Sequence, residues 1–146
     1  MSAPAAVTPE LAELRAELRR RGLGAVLDTS RLARALYSSD ASLYRVSPQA
    51  VARPRTVEEL ESVLDAARAT GLPVTTRGAG TSCAGNAVGP GLVVDVARHL
   101  NAILAIDPEA RTARVQPGVV QAGSGHGTAS RVVTSAASDG AVGRPE

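Results

Sequence analysis

The sequence predicts an α+β domain with a small mixed or parallel sheet and flanking helices, and three observations support this prediction. A short apolar strand, an amphipathic helix and a second strand follow one another across residues 50–76. Another apolar strand is predicted at 92–96, and two segments within 102–116 have the pattern of a hairpin. Strand–helix–strand order favours parallel strands joined by a right-handed crossover, whereas a hairpin pairs antiparallel strands.

The first predicted helix lies near the N-terminus. Thr8, followed by proline, is typical of an N-cap, and Gly22 is a stop signal. Leu11, Leu14 and Leu18 recur at helical spacing and define one apolar face. We therefore expect a helix that covers a sheet or a neighbouring domain.

Two further helices are predicted. A short one spans 30–36, and a longer one begins at a capping box formed by Thr56 and Glu59 and ends at Gly71. One face of the longer helix is apolar and includes Val57, Leu60, Val63, Leu64 and Ala67.

The composition excludes several functional classes. The chain has 146 residues, enough for one domain with a core, and a formal charge of only +2. Its basic residues are all arginine, dispersed and without aromatic neighbours, so we expect no nucleic-acid partner. The sequence shows no membrane span and no secretion signal, and the single Cys83 fits a reducing compartment. We therefore predict a cytoplasmic protein, with Cys83 as a small packing residue and His99 as a solvated histidine.

The candidate site is the glycine-rich stretch 76–86. Gly78, Gly80 and Gly85 allow backbone geometry that other residues avoid, so several N–H groups can point into one concavity. Arg77 adds positive charge, and neighbouring hydroxyls add donors. This arrangement favours an anion site, although a tight surface connection between two strands explains the glycines equally well.

Two familiar nucleotide folds are disfavoured at this stretch. Their glycines open directly into a helix whose N-terminus holds the phosphate. Here the residues that follow are 89–91, a Gly-Pro-Gly turn, and then a strand. The glycine spacing is also wrong for a dinucleotide fingerprint, and no lysine is present for a P-loop.

Five segments in order resemble the FAD-binding domain of the FAD-linked oxidases, the vanillyl-alcohol oxidase or PCMH-type group. The resemblance is strongest to the D-lactate dehydrogenase and glycolate oxidase branch, and it covers about 30–120. The segments are at residues 37–45, 51–56, 77–86, 92–95 and 111–118.

The resemblance implies that the anion is the pyrophosphate of FAD and that the fold is the first subdomain of a PCMH-type domain. It also implies oxidation of a small 2-hydroxy acid, such as D-lactate or glycolate. Some family members bind flavin covalently through a histidine where Thr81 stands, so FAD is expected to be non-covalent here. The implied FAD contacts are Arg77, Gly78, Ala79, Gly80, Thr81, Ser82, Gly85 and Asn86.

The domain prediction has three parts: an N-terminal helical segment at 1–28, a partial FAD-binding domain at 29–120, and a disordered low-complexity tail at 121–146. We expect the resemblance to end at Val120, with the tail arising from truncated or out-of-frame coding sequence. The substrate-binding part would then be missing, so we nominate no catalytic residue and no metal ligand. A non-catalytic remnant and an unrelated anion-binding module remain alternatives.

Overall fold

The computed structural model describes residues 8–120 and the backbone of 131–134. Its helices are α1 Pro9–Arg20, α2 Arg31–Leu36 and α3 Val57–Thr70, with a short 3₁₀ helix at Gly24–Val26. Its strands are β1 Leu27–Asp28, β2 Ala50–Ala52, β3 Val74–Arg77, β4 Leu92–Asp95, β5 Ile103–Asp107, β6 Thr112–Val115 and β7 Arg131–Thr134.

Side-chain caps begin the helices where the sequence predicts. The Oγ1 atom of Thr8 accepts a hydrogen bond from the Leu11 N–H at 3.3 Å, and that of Thr56 accepts from the Glu59 N–H at 3.2 Å. Gly71 ends α3 in the left-handed region at a φ of 71°. All three predicted helices are confirmed.

The main sheet has the order β1-β2-β4-β3. Strand β4 is parallel to both β2 and β3, and β1 joins the edge of β2 in the antiparallel direction. The strand–helix–strand unit therefore has parallel strands, as expected, but β4 lies between them. All four residues of β4 are buried, which suits a central strand covered on both faces.

Helices α1 and α3 pack together over one core. Leu14 and Leu18 of α1 are fully buried, and so are Val63 of α3 and Leu92 of β4. Strand β1 was not predicted because two residues carry no measurable periodicity. The boundary between 28 and 29 stays a prediction, although α1 and the main sheet bury one continuous cluster.

The predicted hairpin is confirmed. Strands β5 and β6 pair antiparallel around a turn that contains Pro108, and Arg111 completes the turn at a φ of 52°. Strand β7 pairs in parallel with β6, so 131–134 form a strand within the segment that we expected to be disordered. The remainder of that segment lies outside the described residues.

The connection between β3 and β4 contains no helix, although these strands are parallel neighbours. Residues 78–91 leave the carboxyl end of β3 and return to the amino end of β4. There Gly91 lies so close to Pro73 that a Cβ would overlap the Pro73 carbonyl oxygen. We call residues 78–91 the glycine loop.

Candidate functional site

The glycine loop begins at the carboxyl edge of the main sheet. Parallel strands β2, β3 and β4 all end at this edge, where α/β proteins commonly place ligands. Gly80 has a φ of 73°, a left-handed conformation that strains residues with a Cβ. A Cβ at this position would also overlap the guanidinium group of Arg77. Glycine is thus favoured at position 80 by the backbone conformation, and a larger residue would also displace the Arg77 guanidinium group.

Free backbone donors distinguish this loop from an ordinary connection. Within the part of the chain that the structure describes, the N–H groups of 78–83 have no protein acceptor. No atom of the described residues beyond its chain neighbours lies within 4 Å of the Gly78 Cβ position, so the space beside it is open. Successive free N–H groups beside open space are a suitable environment for an anion.

Arg77 is held by the protein itself. Its Nη1 atom donates to the carbonyl oxygens of Ser39, at 2.8 Å, and Ala87, at 3.2 Å. Its guanidinium carbon also lies 5.2 Å from the centre of the Tyr37 ring. Arg77 therefore links the start of the loop to Ala87 in its second half and to Ser39 in a neighbouring segment, a role that the sequence did not predict.

Ser82 shapes the turn in the middle of the loop. Its Oγ accepts hydrogen bonds from the N–H groups of Ala84, at 3.3 Å, and Asn86, at 3.1 Å. Among the described residues this hydroxyl donates to no acceptor, so its proton is available for a hydrogen bond. Thr81 and Asn86 are exposed on the same loop, and Cys83 is exposed as well. The prediction that Cys83 is a packing residue is wrong, because this turn projects away from the core.

A second segment, at residues 40–41, supports the loop. Asp40 accepts a hydrogen bond from the Ala87 N–H at 3.3 Å, and Ala41 donates its N–H to the Gly80 carbonyl oxygen at 3.0 Å. The Ser42 hydroxyl, followed by backbone donors and the charge of Arg77, lowers the pKa of Asp40. Asp40 is therefore a carboxylate that stabilises the loop.

The ring of Tyr44 lies directly against Gly85. A Cβ on Gly85, which has a φ of 80°, would be 3.3 Å from the ring carbon Cγ and closer still to Cδ2. The structure thus brings the predicted loop residues together at one edge. It also adds Tyr37, Asp40 and Tyr44, which the sequence could have suggested only through the resemblance at 37–45.

The fold and loop define a class of protein, namely an α+β domain whose main sheet carries an open run of backbone donors suited to an anion. The described residues fit a phosphate-bearing cofactor, because free N–H donors, an exposed hydroxyl and an open approach occur together. A family description, "FAD binding domain", matches residues 48–142, which is more than half of the chain. The chain belongs to this family, and its cofactor is FAD. The match continues beyond Val120, so the family likeness extends further than we predicted.

Curated relatives agree with this family. D-2-hydroxyglutarate dehydrogenase of Escherichia coli strain K12 is 36% identical over 108 residues, which are 72% of this chain and 11% of that protein. Glycolate oxidase subunit GlcD of Bacillus subtilis strain 168 is 40% identical over 95 residues, or 64% of this chain and 20% of that protein. The chain thus spans between a tenth and a fifth of the length of these relatives.

Solved structures share the fold. Alkyldihydroxyacetonephosphate synthase superposes with a TM-score of 0.67 at 22% identity, covering 82% of this chain and 24% of that one. p-Cresol methylhydroxylase gives 0.65 at 23% identity, covering 80% and 24%. The predicted PCMH-type fold is confirmed. Among the described helices, none has the length and apolar character needed to cross a bilayer.

Proposed function

We propose that this chain holds FAD non-covalently, with the pyrophosphate on the glycine loop, as the cofactor-binding part of an oxidoreductase for small 2-hydroxy acids. The observation that carries the proposal is the run of free N–H groups at 78–83, which lies inside the family match. Thr81 has no ring nitrogen for a covalent flavin bond. The single cysteine supports a cytoplasmic location.

The hydrogen bonds that the loop residues already form support this proposal. The Nη1 atom of Arg77 is engaged by the Ser39 and Ala87 carbonyl groups, so the backbone N–H groups of 78–83 would supply most of the contacts to phosphate. Ser82, Thr81 and Asn86 can add side-chain donors from the exposed side of the loop. This arrangement binds and orients the cofactor without a dedicated charged ligand.

Bound FAD would supply the redox chemistry, accepting the equivalent of a hydride from the substrate carbon that bears the hydroxyl. Support for 2-hydroxy acids comes from the relatives, whose names refer to D-2-hydroxyglutarate and glycolate. The residues of this chain would fix the pyrophosphate. The substrate contacts and the catalytic base are not assigned to any of its described residues.

FAD titration of the purified chain tests the proposal. We expect quenching of flavin fluorescence on binding, and full release of the flavin on acid denaturation. Gly78→Ala should weaken FAD binding by roughly tenfold or more, because its methyl group would enter the open space beside the free donors. Pro90→Ala, on the exposed return leg of the same loop, is the matched control and should bind normally.

The outcomes separate the alternatives. Bleaching of bound flavin by D-lactate, glycolate or D-2-hydroxyglutarate supports an enzyme, whereas bound flavin without bleaching supports a non-catalytic remnant. A folded chain that takes up no FAD would exclude the cofactor proposal and favour a different anion. If Gly78→Ala and the wild type bound FAD with equal affinity, the pyrophosphate would have to bind elsewhere than on this loop.

A further inference from the structure

A cavity of about 340 Å³ opens beside the carboxyl ends of β2 and β4, outside the glycine loop. This volume lies at the lower end of the range seen for small-molecule sites. Leu23, Ala25 and Val26 form one side, and arginines contribute most of the polar side. The lining residues include none from 78–91, so the cavity is distinct from the loop that the family match explains.

The cavity has an excess of positive charge. Arg53, Arg55 and Arg98 line it together with His99, and Glu59 is the only acidic residue among the lining residues. The Glu59 carboxylate already accepts a hydrogen bond from the Arg55 backbone N–H at 2.7 Å. Asp28, which lies outside the lining, pairs with Arg53, so two carboxylates face three guanidinium groups and the cavity keeps an excess of positive charge.

These guanidinium groups retain unused donors. Within 8–120, the side chains of Arg55 and Arg98 form no hydrogen bond or ion pair. Arg53 pairs with Asp28 through Nη1 at 3.1 Å, but its Nε is buried and has no partner among the described residues. That buried atom is out of reach of a ligand in the cavity, whereas Arg55 and Arg98 are exposed and their guanidinium donors are available to one.

We propose that this cavity is a second anion site, which binds a small organic molecule with two or more anionic oxygens and an apolar body. The arginines would bind the oxygens, since planar guanidinium groups suit both phosphate and carboxylate, and Leu23, Ala25 and Val26 would contact the body. Phosphate monoesters and dicarboxylates share this chemistry.

The site is close to the glycine loop without being part of it. The guanidinium carbons of Arg53 and Arg77 lie 5.6 Å and 5.2 Å from the centre of the Tyr37 ring, so they are at most 10.8 Å apart. A ligand in the cavity would therefore be a near neighbour of bound FAD. The two ligands would bind together and would not compete.

Titration of the whole chain with inorganic phosphate and with succinate tests this site, using calorimetry and the NMR signals of the arginine Nε–H groups. We expect saturable binding that moves the signals of Arg53 and Arg98. The stronger of the two probes distinguishes a phosphate ester from a dicarboxylate. Arg98→Gln, an exposed side chain, should weaken that binding by about tenfold or more.

Arg68→Gln is the matched control, because Arg68 is also exposed but lies on α3 outside the cavity. It should leave the affinity unchanged. The same titration on Gly78→Ala separates this site from the glycine loop, since cavity binding should survive that change. Absence of binding by both probes, equal loss in the two arginine variants, loss in Gly78→Ala, or displacement of the probe by FAD would each overturn the proposal.

Discussion

The hydroxyl of Tyr37 donates a hydrogen bond to the carboxylate of Asp95, across 58 positions of sequence. Asp95 is buried at the end of β4, where it also accepts from the N–H groups of Ala97, at 2.9 Å, and Arg98, at 3.2 Å. Burial, reinforced by this hydrogen bond, raises the pKa of Tyr37. One tyrosine thus joins α2 to the central strand and lies beneath the arginine that fastens the glycine loop.

Replacing Tyr37 with Phe should lower the free energy of unfolding by about 1–3 kcal/mol, because the buried Asp95 carboxylate would lose one donor. Urea denaturation measures this loss. Tyr44→Phe is the matched control, since the Tyr44 hydroxyl makes no hydrogen bond within the described residues and its side chain is exposed. Equal stability of the two variants would contradict the role given to the Tyr37 hydroxyl.

Replacing Gly80 with Ala should destabilise the FAD-free chain by roughly 1–2 kcal/mol from the left-handed backbone alone. Displacement of the Arg77 guanidinium should add to this loss and detach the loop from Ser39. The comparison is Gly78→Ala, whose Cβ would lie in open space as far as the structure describes the chain and which should unfold at the wild-type urea concentration. A stable Gly80→Ala chain would show that the loop adopts another conformation.

The pKa of Asp40 should lie below that of an ordinary aspartate when measured by carboxyl NMR. A lowered pKa in the folded state means that this carboxylate stabilises the protein above the unfolded value of about 3.9. That contribution is lost as the pH falls through the folded value. Ser42→Ala removes the main cause and should raise the pKa of Asp40 towards normal, whereas an unchanged pKa would show that other groups set it.

Replacing Leu14 with Ala tests whether α1 belongs to the same folding unit as the main sheet. Leu14 is fully buried in the shared core, so the change should cost about 2–5 kcal/mol and shift one cooperative transition. Leu32→Ala, at a side chain that is 70% exposed, should change stability by less than about 0.5 kcal/mol. A separate early transition for α1 would instead support a domain boundary near residue 29.

Local signals explain the parts of the fold that could be predicted. Thr8, Thr56 and Gly71 act through hydrogen bonds and backbone angles within a few residues, so the helix ends can be read directly from the sequence. The position of β4 between β2 and β3 could not be read in this way, because strand order depends on which faces are buried after the chain has collapsed.

The candidate site was predictable to a similar extent. Glycines and hydroxyls identified the loop. The position of Arg77 beside these glycines, however, did not indicate that its side chain would donate to the carbonyl groups of Ser39 and Ala87. The part played by Asp40 depends on a contact 47 positions away, at Ala87. Such long-range pairs leave no periodic pattern in a single sequence.

The helix-free crossover between β3 and β4 has a chemical consequence. A helix in this position would use its own carbonyl groups to accept most of its N–H hydrogens, leaving donors only at its first turn. The N–H groups of residues 78–83 form no such bonds. The segment that connects β3 to β4 therefore also leaves a row of donors open to an anion.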